Sequence, residues 1–391
     1  MTKRVGMEVS VAIGEMVKMA DVDVVAAYPI TPQTHIVEHI AELVADGELD
    51  AEYVPVESEH SALSACLGSS AAGARTFTAT AGQGLELMHE VLYVASGMRL
   101  PIIMTVTNRA LSSPLSVWGD HSDAMAVRDT GWIQIFSENG QDVIDNVICA
   151  FRIAEDRDVL LPVMLHLDGF HLSHVIEPML FPEPEEVKAF LPTNDYPLPL
   201  HPSKPVAMGD FAPPFIYTEA KWAQEMVLRQ SKRSILKVWE EFAKKFGRQY
   251  KPVESYRTED CKTLLFTMGS FSETAMTAID ALREEGLKVG LVRLRLWRPF
   301  PFEELRAAVK DAETLIVLDR ALSTGGPGGP VCSEIRSALY NTNPRPRVVS
   351  FVGGLGGRDI TVEGFAAMVK RGIDLAKTGS GNEFEIFGVR E

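Results

Sequence analysis

Two hydrophobic periods alternate along the first 175 residues of the chain. Short runs of apolar and β-branched residues indicate buried strands, and apolar residues three and four positions apart indicate helices that cover them. The predicted strands are 22–27, 53–56, 74–79, 101–107 and 159–167, and predicted helices are 7–20, 59–72 and 140–153. Strands that alternate with helices form parallel sheets with helices on both faces. This part of the chain is therefore predicted to be a doubly wound α/β domain.

Prolines interrupt this pattern between residues 178 and 214, where ten of the 23 prolines fall. Because proline cannot donate a ladder hydrogen bond and breaks helices, the segment is predicted to be an extended connector. A long helix is predicted over 218–246, with Trp222, Trp239 and Phe246 near one face and Gly247 closing it. It would pack as an arm across this chain or across a neighbouring subunit.

A second α/β pattern follows the arm. Its predicted strands are 263–268, 289–296, 314–318 and 347–352, with a helix at 273–285. The chain is therefore divided into a first domain, a connector with its helical arm, and a smaller second α/β domain. The predicted bounds are 1–195, 196–258 and 259–391.

Composition limits the classes of partner. The chain has 391 residues, 46% of them hydrophobic, and a net charge of -15 without a basic run interleaved with aromatics, which argues against nucleic acid. No apolar run reaches the roughly 18 residues of a membrane span, and the first residues lack the apolar core of a signal peptide. The expected location is the cytoplasm, with no membrane partner.

The cysteines of the chain lie far apart and form no C-x-x-C pair. This argues against an iron-sulfur cluster or a structural zinc held by neighbouring cysteines of this chain alone. The predicted role is that of small core residues. The positions are Cys66, Cys149, Cys261 and Cys332.

A carboxylate lies where the strand 53–56 passes into the next helix. Glu57 and Glu59 both occupy this junction, and small residues recur behind them at Ala62, Ala65 and Gly68, so the helix can lie close to another surface. Open α/β sheets bind ligands at the carboxyl ends of their strands. The pattern fits a buried acid facing a ligand, and it also fits a solvated turn.

Three further groups follow predicted strands. In Tyr28-Pro29-Ile30-Thr31-Pro32, two prolines fix the backbone around Thr31, which suits a ligand contact or a helix N-cap. The stretch Thr80-Ala81-Gly82-Gln83-Gly84 allows close backbone approach to a ligand at a helix N-terminus. Arg109 suits a bidentate hold on a carboxylate or a solvated strand end.

Other polar and glycine-rich loops give weaker signals. The loop 112–123 carries Asp120, His121 and Asp123, but without a further ligand no metal site is predicted in this chain. The run 325–329 lacks the Gly-Lys-Ser/Thr of a P-loop, so no nucleotide is predicted there. The glycines of 353–357 fit a tight turn as well as a binding loop.

Five motifs occur in order along the chain, and together they resemble the alpha subunits of 2-oxoacid:ferredoxin oxidoreductases, most closely those that act on pyruvate. The resemblance covers essentially the whole chain, and Leu-Trp-Arg-Pro-Phe-Pro at 296–301 is similar to the transketolase C-terminal-like domain of that family. It implies a thiamine-diphosphate pyrimidine-binding domain followed by the transketolase C-terminal-like domain. The motifs are Tyr28-Pro29-Ile30-Thr31-Pro32, E-x-x-A-x-x-A-x-x-G from Glu59, Thr105-Val106-Thr107-Asn108-Arg109-Ala110, Gly119-Asp120-His121-Ser122-Asp123 and Leu167-Asp168-Gly169-Phe170.

The resemblance implies roles for particular residues. Glu59 rather than Glu57 would hydrogen-bond the aminopyrimidine ring of thiamine diphosphate and promote the proton transfer that activates the cofactor. Thr31 and Arg109 would hold the keto oxygen and the carboxylate of the substrate. The cofactor would also contact Pro29, Ile30 and Gln83.

It also implies a reaction and partner subunits. The expected reaction is oxidative decarboxylation of a 2-oxoacid, pyruvate first, with coenzyme A to acyl-CoA and carbon dioxide, with the reverse direction open. No Gly-Asp-Gly with a distal Asn and no cluster-binding cysteines occur, so Mg²⁺, the diphosphate site and the [4Fe-4S] clusters are expected on partners. These would be a beta subunit, a gamma subunit and a ferredoxin-like delta subunit, with ferredoxin as electron acceptor. The chain alone would be inactive.

Three alternatives stay open. One clear cation, Arg109, suits a monocarboxylate such as pyruvate, and phenylglyoxylate or a branched-chain oxoacid would fit as well, with ferredoxin or NAD as final acceptor. Selectivity among these substrates is expected from 113–119. The beta chain of lipoate-dependent oxoacid dehydrogenases would share Glu59, although the Thr31 and Arg109 motifs speak against it. A non-catalytic structural subunit is the alternative of another class.

Overall fold

The chain folds into two α/β units with a long helix between them. The computed structural model describes residues 3–378 and 383–390. The first elements are β1 (Lys3–Glu8), α1 (Val9–Met19), β2 (Val24–Ala27), α2 (Thr34–Ala45), β3 (Glu52–Pro55), α3 (Glu59–Ala71), β4 (Thr76–Thr80), α4 (Gly82–Leu87), α5 (His89–Gly97), β5 (Ile102–Asn108), α6 (Ser122–Ala126), β6 (Ile133–Phe136), α7 (Gly140–Ala154), β7 (Val163–Asp168), β8 (Ile176–Phe181) and α8 (Pro184–Phe190). The later elements are α9 (Pro214–Phe246), β9 (Val253–Tyr256), β10 (Thr263–Met268), α10 (Phe271–Glu284), β11 (Val289–Leu294), β12 (Leu296–Arg298), α11 (Phe302–Val309), β13 (Thr314–Asp319), α12 (Pro330–Leu339), β14 (Arg347–Val352), α13 (Val362–Thr378) and β15 (Glu385–Ile386).

The first sheet has the strand order β12-β6-β7-β5-β4-β2-β3 in the described part of the chain. Its strands are parallel except β12, which runs antiparallel to β6. The central strands β5 and β7 are buried along their whole length, which explains their continuous apolar sequence. One face is covered by α1, α2 and α7, and the other by α3 and α5. The doubly wound domain predicted from the sequence is confirmed.

The second sheet has the order β15-β14-β13-β10-β11-β9. Its neighbours are parallel except for β9, which pairs antiparallel with β11. Helices α10 and α13 pack on one face, and α11 and α12 on the other. This is the second, smaller α/β unit that the sequence predicts.

The arm α9 starts with proline in its first turn and ends at Gly247, which has a φ of 75°. Its later half packs against the first unit, where Trp239 is buried and donates from Nε1 to Asn146 Oδ1 on α7 at 2.9 Å. Its first half leaves Phe215 and Trp222 mostly exposed. The arm therefore belongs to the core of this chain only along its second half.

Two predictions about the chain ends of the first unit are wrong. The helix predicted from residue 7 begins at Val9, because Lys3–Glu8 forms β1 and pairs antiparallel with β8. The proline-rich connector predicted from residue 178 contains most of β8 and all of α8. Pro178 is tolerated because β8 pairs on one side only, and Pro184 suits the first turn of α8.

Strands β6, β9 and β12 were not predicted as separate strands. β9 falls inside the predicted connector 196–258 and yet completes the second sheet. β12 comes from the predicted second domain and joins the first sheet through Leu296↔Ile135 and Arg298↔Gln134. The three-part division of the chain stays a prediction, and each of the two sheets includes one strand from beyond a predicted boundary.

The structure also bears on the predicted core role of the cysteines and on the predicted lack of a membrane span. All four cysteines are free and buried, in agreement with their predicted core role. Among the described residues, no helix combines the length and the apolar composition that crossing a bilayer requires.

Candidate active site

The predicted site residues lie at one edge of the first sheet. The strands β3, β2, β4 and β5 are neighbours and run parallel, so their carboxyl ends meet at the same edge. Glu59 follows β3, Thr31 follows β2, Gln83 follows β4 and Arg109 follows β5. This is the position at which open α/β sheets hold their ligands.

Glu59 is the first residue of α3 and is 6% exposed. The helix starts there because the Ser58 hydroxyl caps it by accepting a hydrogen bond from the Ser61 amide at 3.2 Å. The carboxylate of Glu59 has neither a hydrogen-bond donor nor a cation as partner among the described residues. The side chain is buried as a whole, yet its oxygens are not among the fully enclosed atoms that lack a partner, so they keep some access to solvent. The carboxylate is therefore placed to accept a hydrogen bond from a molecule that binds at this edge.

Glu57 differs from Glu59 in its exposure and in its hydrogen bonding. Its side chain is exposed and accepts a hydrogen bond from the Ser61 hydroxyl. The strand-to-helix turn thus points one carboxylate into the protein and the other into solvent.

Gly84 holds space for the Glu59 side chain. A Cβ added at Gly84 would lie 2.6 Å from Glu59 Oε1 and 2.5 Å from Thr80 Oγ1. The Thr80 hydroxyl is buried without a partner in the described chain. Any side chain at position 84 would therefore displace the carboxylate, the hydroxyl or both.

Arg109 is 8% exposed and is held along its length. A Cβ added at Gly82 would lie 3.1–3.2 Å from the stem of Arg109, which is a tight contact, and the φ of 47° at this position also favours glycine. Its Nε donates to the Ser116 carbonyl and its Nη1 to the Thr31 carbonyl, each at 3.0 Å. Burial lowers the pKa of Arg109, and Asp123 partly offsets this effect. The Nη2 group has no partner among the described residues, so one guanidinium nitrogen is available for an anion.

Thr31 is exposed, and its turn is fixed by the buried side chain of Gln33. Gln33 Oε1 accepts from the Ile30 amide at 3.1 Å, and Gln33 Nε2 donates to the Ala79 carbonyl on β4 at 2.8 Å. Pro29 is exposed and Ile30 is half-buried at the same turn. The hydrogen bond from Arg109 Nη1 to the Thr31 carbonyl joins Arg109 directly to this turn.

Gln83 lies between the two glycines that contact Arg109 and Glu59. Its Nε2 donates to the Ser112 hydroxyl at 3.0 Å, while its Oε1 is buried without a partner in the described part of the chain. The start of α4 therefore brings the predicted acid, the predicted cation and Gln83 together.

Asp123 is a site residue whose role the sequence pattern did not reveal. Its Oδ2 accepts from the amides of Gly82 at 3.0 Å and Arg109 at 2.9 Å, and its Oδ1 accepts from Asn108 Nδ2 at 2.9 Å. Burial raises the pKa of Asp123 to about 7. The carboxylate ties α4 to the end of β5. The Gly-Asp-His-Ser-Asp motif contributed to the family resemblance, but nothing in the sequence assigned Asp123 a role of its own.

The second unit is fixed to the site edge by Asp168, at the end of β7. Its Oδ1 accepts from His121 Nε2 at 2.9 Å and from Arg320, and its Oδ2 accepts from the Ser270 amide at 2.9 Å and hydroxyl at 2.6 Å. Burial alone raises the pKa of Asp168, but Arg320 and His121 together hold it well below its usual range. His121 is therefore committed to this contact between the units.

The loop predicted to govern selectivity, 113–119, rests on the glycine run 353–357. A Cβ at Gly357 would lie 2.5 Å from Trp118 Cβ, and the Gly356 amide donates to Asp120 Oδ2 at 3.0 Å. Trp118 is 52% exposed and packs against Phe170 with ring centroids 4.6 Å apart. The glycine run is thus a tight turn that supports the loop.

A cavity of about 630 Å³ lies elsewhere, between the arm and the second unit. Its lining includes Arg128, Lys232, Arg298 and Glu334, and none of the predicted site residues. Arg298 pairs with Glu334, and Lys232 with glutamates of α11, so these charges are already matched. The cavity does not identify the candidate active site.

Two protein-family models match the chain. The model described as pyruvate flavodoxin/ferredoxin oxidoreductase, thiamine diphosphate-binding, matches residues 15–239. The model described as pyruvate:ferredoxin oxidoreductase core domain II matches residues 261–365.

Similar curated proteins include two named pyruvate synthase subunit PorA. The protein from Methanocaldococcus jannaschii is 50% identical and covers 92% of each chain, and the one from Thermotoga maritima is 45% identical and covers 100% of this chain and 99% of its own. A protein from Pyrococcus horikoshii named ketoisovalerate oxidoreductase subunit VorA is 46% identical over 90% of this chain and 89% of its own.

Two solved structures share the fold. A 2-oxoglutarate:ferredoxin oxidoreductase from Magnetococcus marinus, with 2-oxoglutarate, coenzyme A and succinyl-CoA bound, aligns with a TM-score of 0.72 at 22% identity. The alignment covers 95% of this chain and 66% of that one. A split-gene transketolase aligns with a TM-score of 0.55 at 13% identity over 95% of this chain and 100% of its own. The family resemblance and the fold class predicted from the sequence are confirmed.

Proposed function

Because this chain belongs to the pyruvate:ferredoxin oxidoreductase family of thiamine-diphosphate-binding 2-oxoacid oxidoreductases, we propose that its site edge forms the pyrimidine-binding half of a shared active site. The observation that carries the proposal is the Glu59 carboxylate, which is buried, unpaired among the described residues and given room by Gly84.

The residues present fit thiamine diphosphate. The Glu59 carboxylate would share a proton with a nitrogen of the pyrimidine ring. The buried amide oxygen of Gln83 would be a second acceptor, for the amino group of that ring. Pro29 and Ile30 would contact the ring from the neighbouring turn. When bound, this cofactor supplies a nucleophilic carbon and an electron sink for decarboxylation.

Substrate holding falls to Arg109 and Thr31. The free Nη2 of Arg109 would bind the 2-oxoacid carboxylate, while its other nitrogens stay on the carbonyls of Thr31 and Ser116. The exposed Thr31 hydroxyl would donate to the keto oxygen. With the carboxylate and the keto oxygen both held, the carbon that reacts is fixed in position.

The proposed reaction converts a 2-oxoacid and coenzyme A to acyl-CoA, carbon dioxide, a proton and two electrons. The electrons would leave through [4Fe-4S] clusters of partner subunits to ferredoxin, and the reaction could also run in reverse. Mg²⁺ and the diphosphate site would be supplied by a beta subunit, with gamma and ferredoxin-like delta subunits completing the complex. The exposed aromatic side chains of Phe215 and Trp222 support burial against such a partner. We propose the cytoplasm as its location.

Pyruvate is the proposed substrate, since several similar proteins of 45–50% identity are named for pyruvate synthesis. A branched-chain 2-oxoacid is the second candidate, because the VorA protein is 46% identical, the same identity as the PorA protein of that organism. Overall identity therefore does not separate the two substrates.

The test is replacement of Glu59 in the complex reconstituted with its partner subunits. Glu59→Gln is expected to lower kcat for dye reduction by about 10²–10⁴-fold, because the shared proton is lost. Glu57→Gln is the matched control and should retain wild-type activity, since that side chain faces solvent. A Glu59→Gln complex as active as wild type would favour the structural-subunit alternative.

The substrate is tested with the wild-type complex, without oxygen and with coenzyme A. The panel contains pyruvate, 2-oxoisovalerate, 2-oxoglutarate and phenylglyoxylate, with kcat/KM measured for each. The highest value for pyruvate supports the first candidate, and the highest value for 2-oxoisovalerate supports the second.

A further inference from the structure

Two histidines and a glutamate meet outside the candidate active site. Glu8 ends β1, His35 lies in the first turn of α2, and His174 lies in the loop after β7. One ligand atom from each lies within 4.8 Å of the other two. From this cluster we infer that the chain binds one divalent transition-metal ion of the zinc type through Glu8, His35 and His174.

The backbone holds two of the three ligands in fixed positions. Glu8 lies opposite Ile176 in the β1–β8 pair, and directly after it the Val9 amide donates to the Val175 carbonyl at 3.1 Å. The Ser10 amide donates to the Ser173 carbonyl, also at 3.1 Å. These backbone contacts involve residues before and after His174, so they hold Glu8 and His174 close together whether or not a cation is present.

The side chains present suitable ligand atoms. His174 Nδ1 lies 2.7 Å from the Ser173 hydroxyl, which leaves Nε2 free, and such outer contacts orient metal-binding imidazoles. The rings of His35 and His174 are 4.5 Å apart between centroids. Bonds of about 2.0–2.1 Å to zinc place tetrahedral ligand atoms about 3.3 Å apart, so side-chain shifts of about 1 Å close the site.

Charge also favours a cation at this place. Glu8 Oε1 lies 2.6 Å from His35 Nδ1, and Glu8 has no Lys or Arg partner among the described residues. With neutral imidazoles the cluster carries one uncompensated negative charge. The side chains are partly exposed, 24% for Glu8 and 45% for His35, so a cation can enter and keep water as a fourth ligand.

A second histidine on α2 provides a natural contrast. His39 Nε2 lies 2.8 Å from Glu15 Oε1, but Lys18 Nζ already lies 2.7 Å from Glu15 Oε2. That carboxylate is neutralised, and no second imidazole faces it in the part of the chain that the structure describes. His39 should therefore bind no cation, although it has the same kind of His–Glu contact.

Two imidazoles and one carboxylate select for the class of metal. Zn²⁺ and similar late transition metals accept imidazole nitrogen, whereas Mg²⁺ and Ca²⁺ prefer a set of oxygen ligands. A bound cation would connect the end of β1, the start of α2 and the loop after β7. Phe170 of that loop packs on both His174 and Trp118, so the cation would also stiffen the wall beside the selectivity loop.

The experiment uses the full-length chain without an affinity tag, stripped of metal with a chelator and then freed of the chelator. Isothermal titration with ZnCl₂ is expected to show one saturable site, with a rise in melting temperature, and MgCl₂ should not compete. His174→Asn and Glu8→Gln should each weaken zinc binding at least tenfold. His39→Asn is the matched control and should bind zinc as wild type does.

Several results would overturn the inference. They are the absence of saturable zinc binding by the wild-type chain, an equal loss in His39→Asn, or undiminished binding in both His174→Asn and Glu8→Gln. If one of the two site variants fails to fold, as judged by its melting curve, the other decides. Because binding to the chain is measured directly, the outcome does not depend on the proposed catalytic activity.

Discussion

Gly84→Ala is expected to disable the candidate site by a single added methyl group. Position 84 lies between the Glu59 carboxylate and the Thr80 hydroxyl, and its backbone has no left-handed φ that would by itself exclude alanine. Alanine also favours helix, and position 84 is in the first turn of α4. Any harm from the substitution must therefore come from what the methyl group meets.

The size of the effect follows from the distances. The added Cβ would lie 2.6 Å from Glu59 Oε1, which is 0.8 Å closer than the 3.4 Å at which ordinary contacts begin. Glu59 must retreat by roughly that amount, and a misplacement of about 1 Å at a catalytic group costs on the order of 10²-fold in rate. Overpacking of this kind also costs about 1–3 kcal/mol of stability.

Two measurements test the effect on the site. Steady-state dye reduction by the reconstituted complex gives kcat, and titration with thiamine diphosphate gives its affinity. The matched control is Gly68→Ala on α3, where an added Cβ meets nothing within 4 Å. That variant should keep wild-type kcat and gain about 0.5–1 kcal/mol from the better helix former.

An assembled Gly84→Ala complex that retains kcat within about twofold of wild type would contradict this expectation. A loss of kcat shared equally by Gly68→Ala would also count against it, because the effect would then not come from contact with Glu59.

Three further predictions concern groups around the site. Arg109→Lys should raise KM for the 2-oxoacid about tenfold or more, because a single ammonium nitrogen cannot replace three guanidinium nitrogens that donate separately to the Ser116 carbonyl, the Thr31 carbonyl and the substrate carboxylate; an unchanged KM in steady-state assays would contradict this. Asp123 has a folded pKa of about 7 against a usual 3.8, so its stabilising contribution is complete below pH 3.8 and is lost as the pH rises through 7. The melting temperature of wild type should therefore fall relative to that of Asp123→Asn between pH 4 and 7, by an amount equivalent to at most about 4 kcal/mol, and a constant difference would refute the assignment. Asp168→Asn should cost about 3–5 kcal/mol in the free energy of denaturant unfolding, because Arg320 would keep a buried charge without its partner, whereas Ser270→Ala should cost about 1 kcal/mol; equal losses would show that the ion pair contributes little.

The sequence was sufficient for the elements with strong periodicity. The strands β5 and β7 are long and buried on both faces, so their apolar runs indicated them directly. The strand β6 spans only Ile133–Phe136 and includes a buried polar residue, Gln134, which gives too short a pattern to distinguish. The strand β1 lacks a clear alternation and depends on a partner that contains Pro178, so neither strand of that pair is evident alone.

The sequence was sufficient to predict the main residues of the candidate site, but not the residues that hold them in place. Family motifs pointed to Glu59 and Arg109, but Glu59 is distinguished from Glu57 in this structure by its burial, which depends on the packing of α3 against α4, and by its lack of a hydrogen-bond donor among the described residues. Gln33 and Asp123 fix the site through backbone groups distant in sequence. No local pattern encodes such contacts, because they exist only once the strands are side by side.

The strand β12 makes the two halves of this chain unsuitable for separate production. A fragment ending before residue 259 would lack the strand that pairs with β6, and the exposed edge of β6 would be open to pairing with other copies. The complementary fragment would carry Leu296 and Trp297, which are fully buried here, on a segment without its sheet. Expression trials that cut at the boundary between the two family models should therefore yield aggregates, whereas co-expression of both fragments offers a route to a soluble, nicked protein.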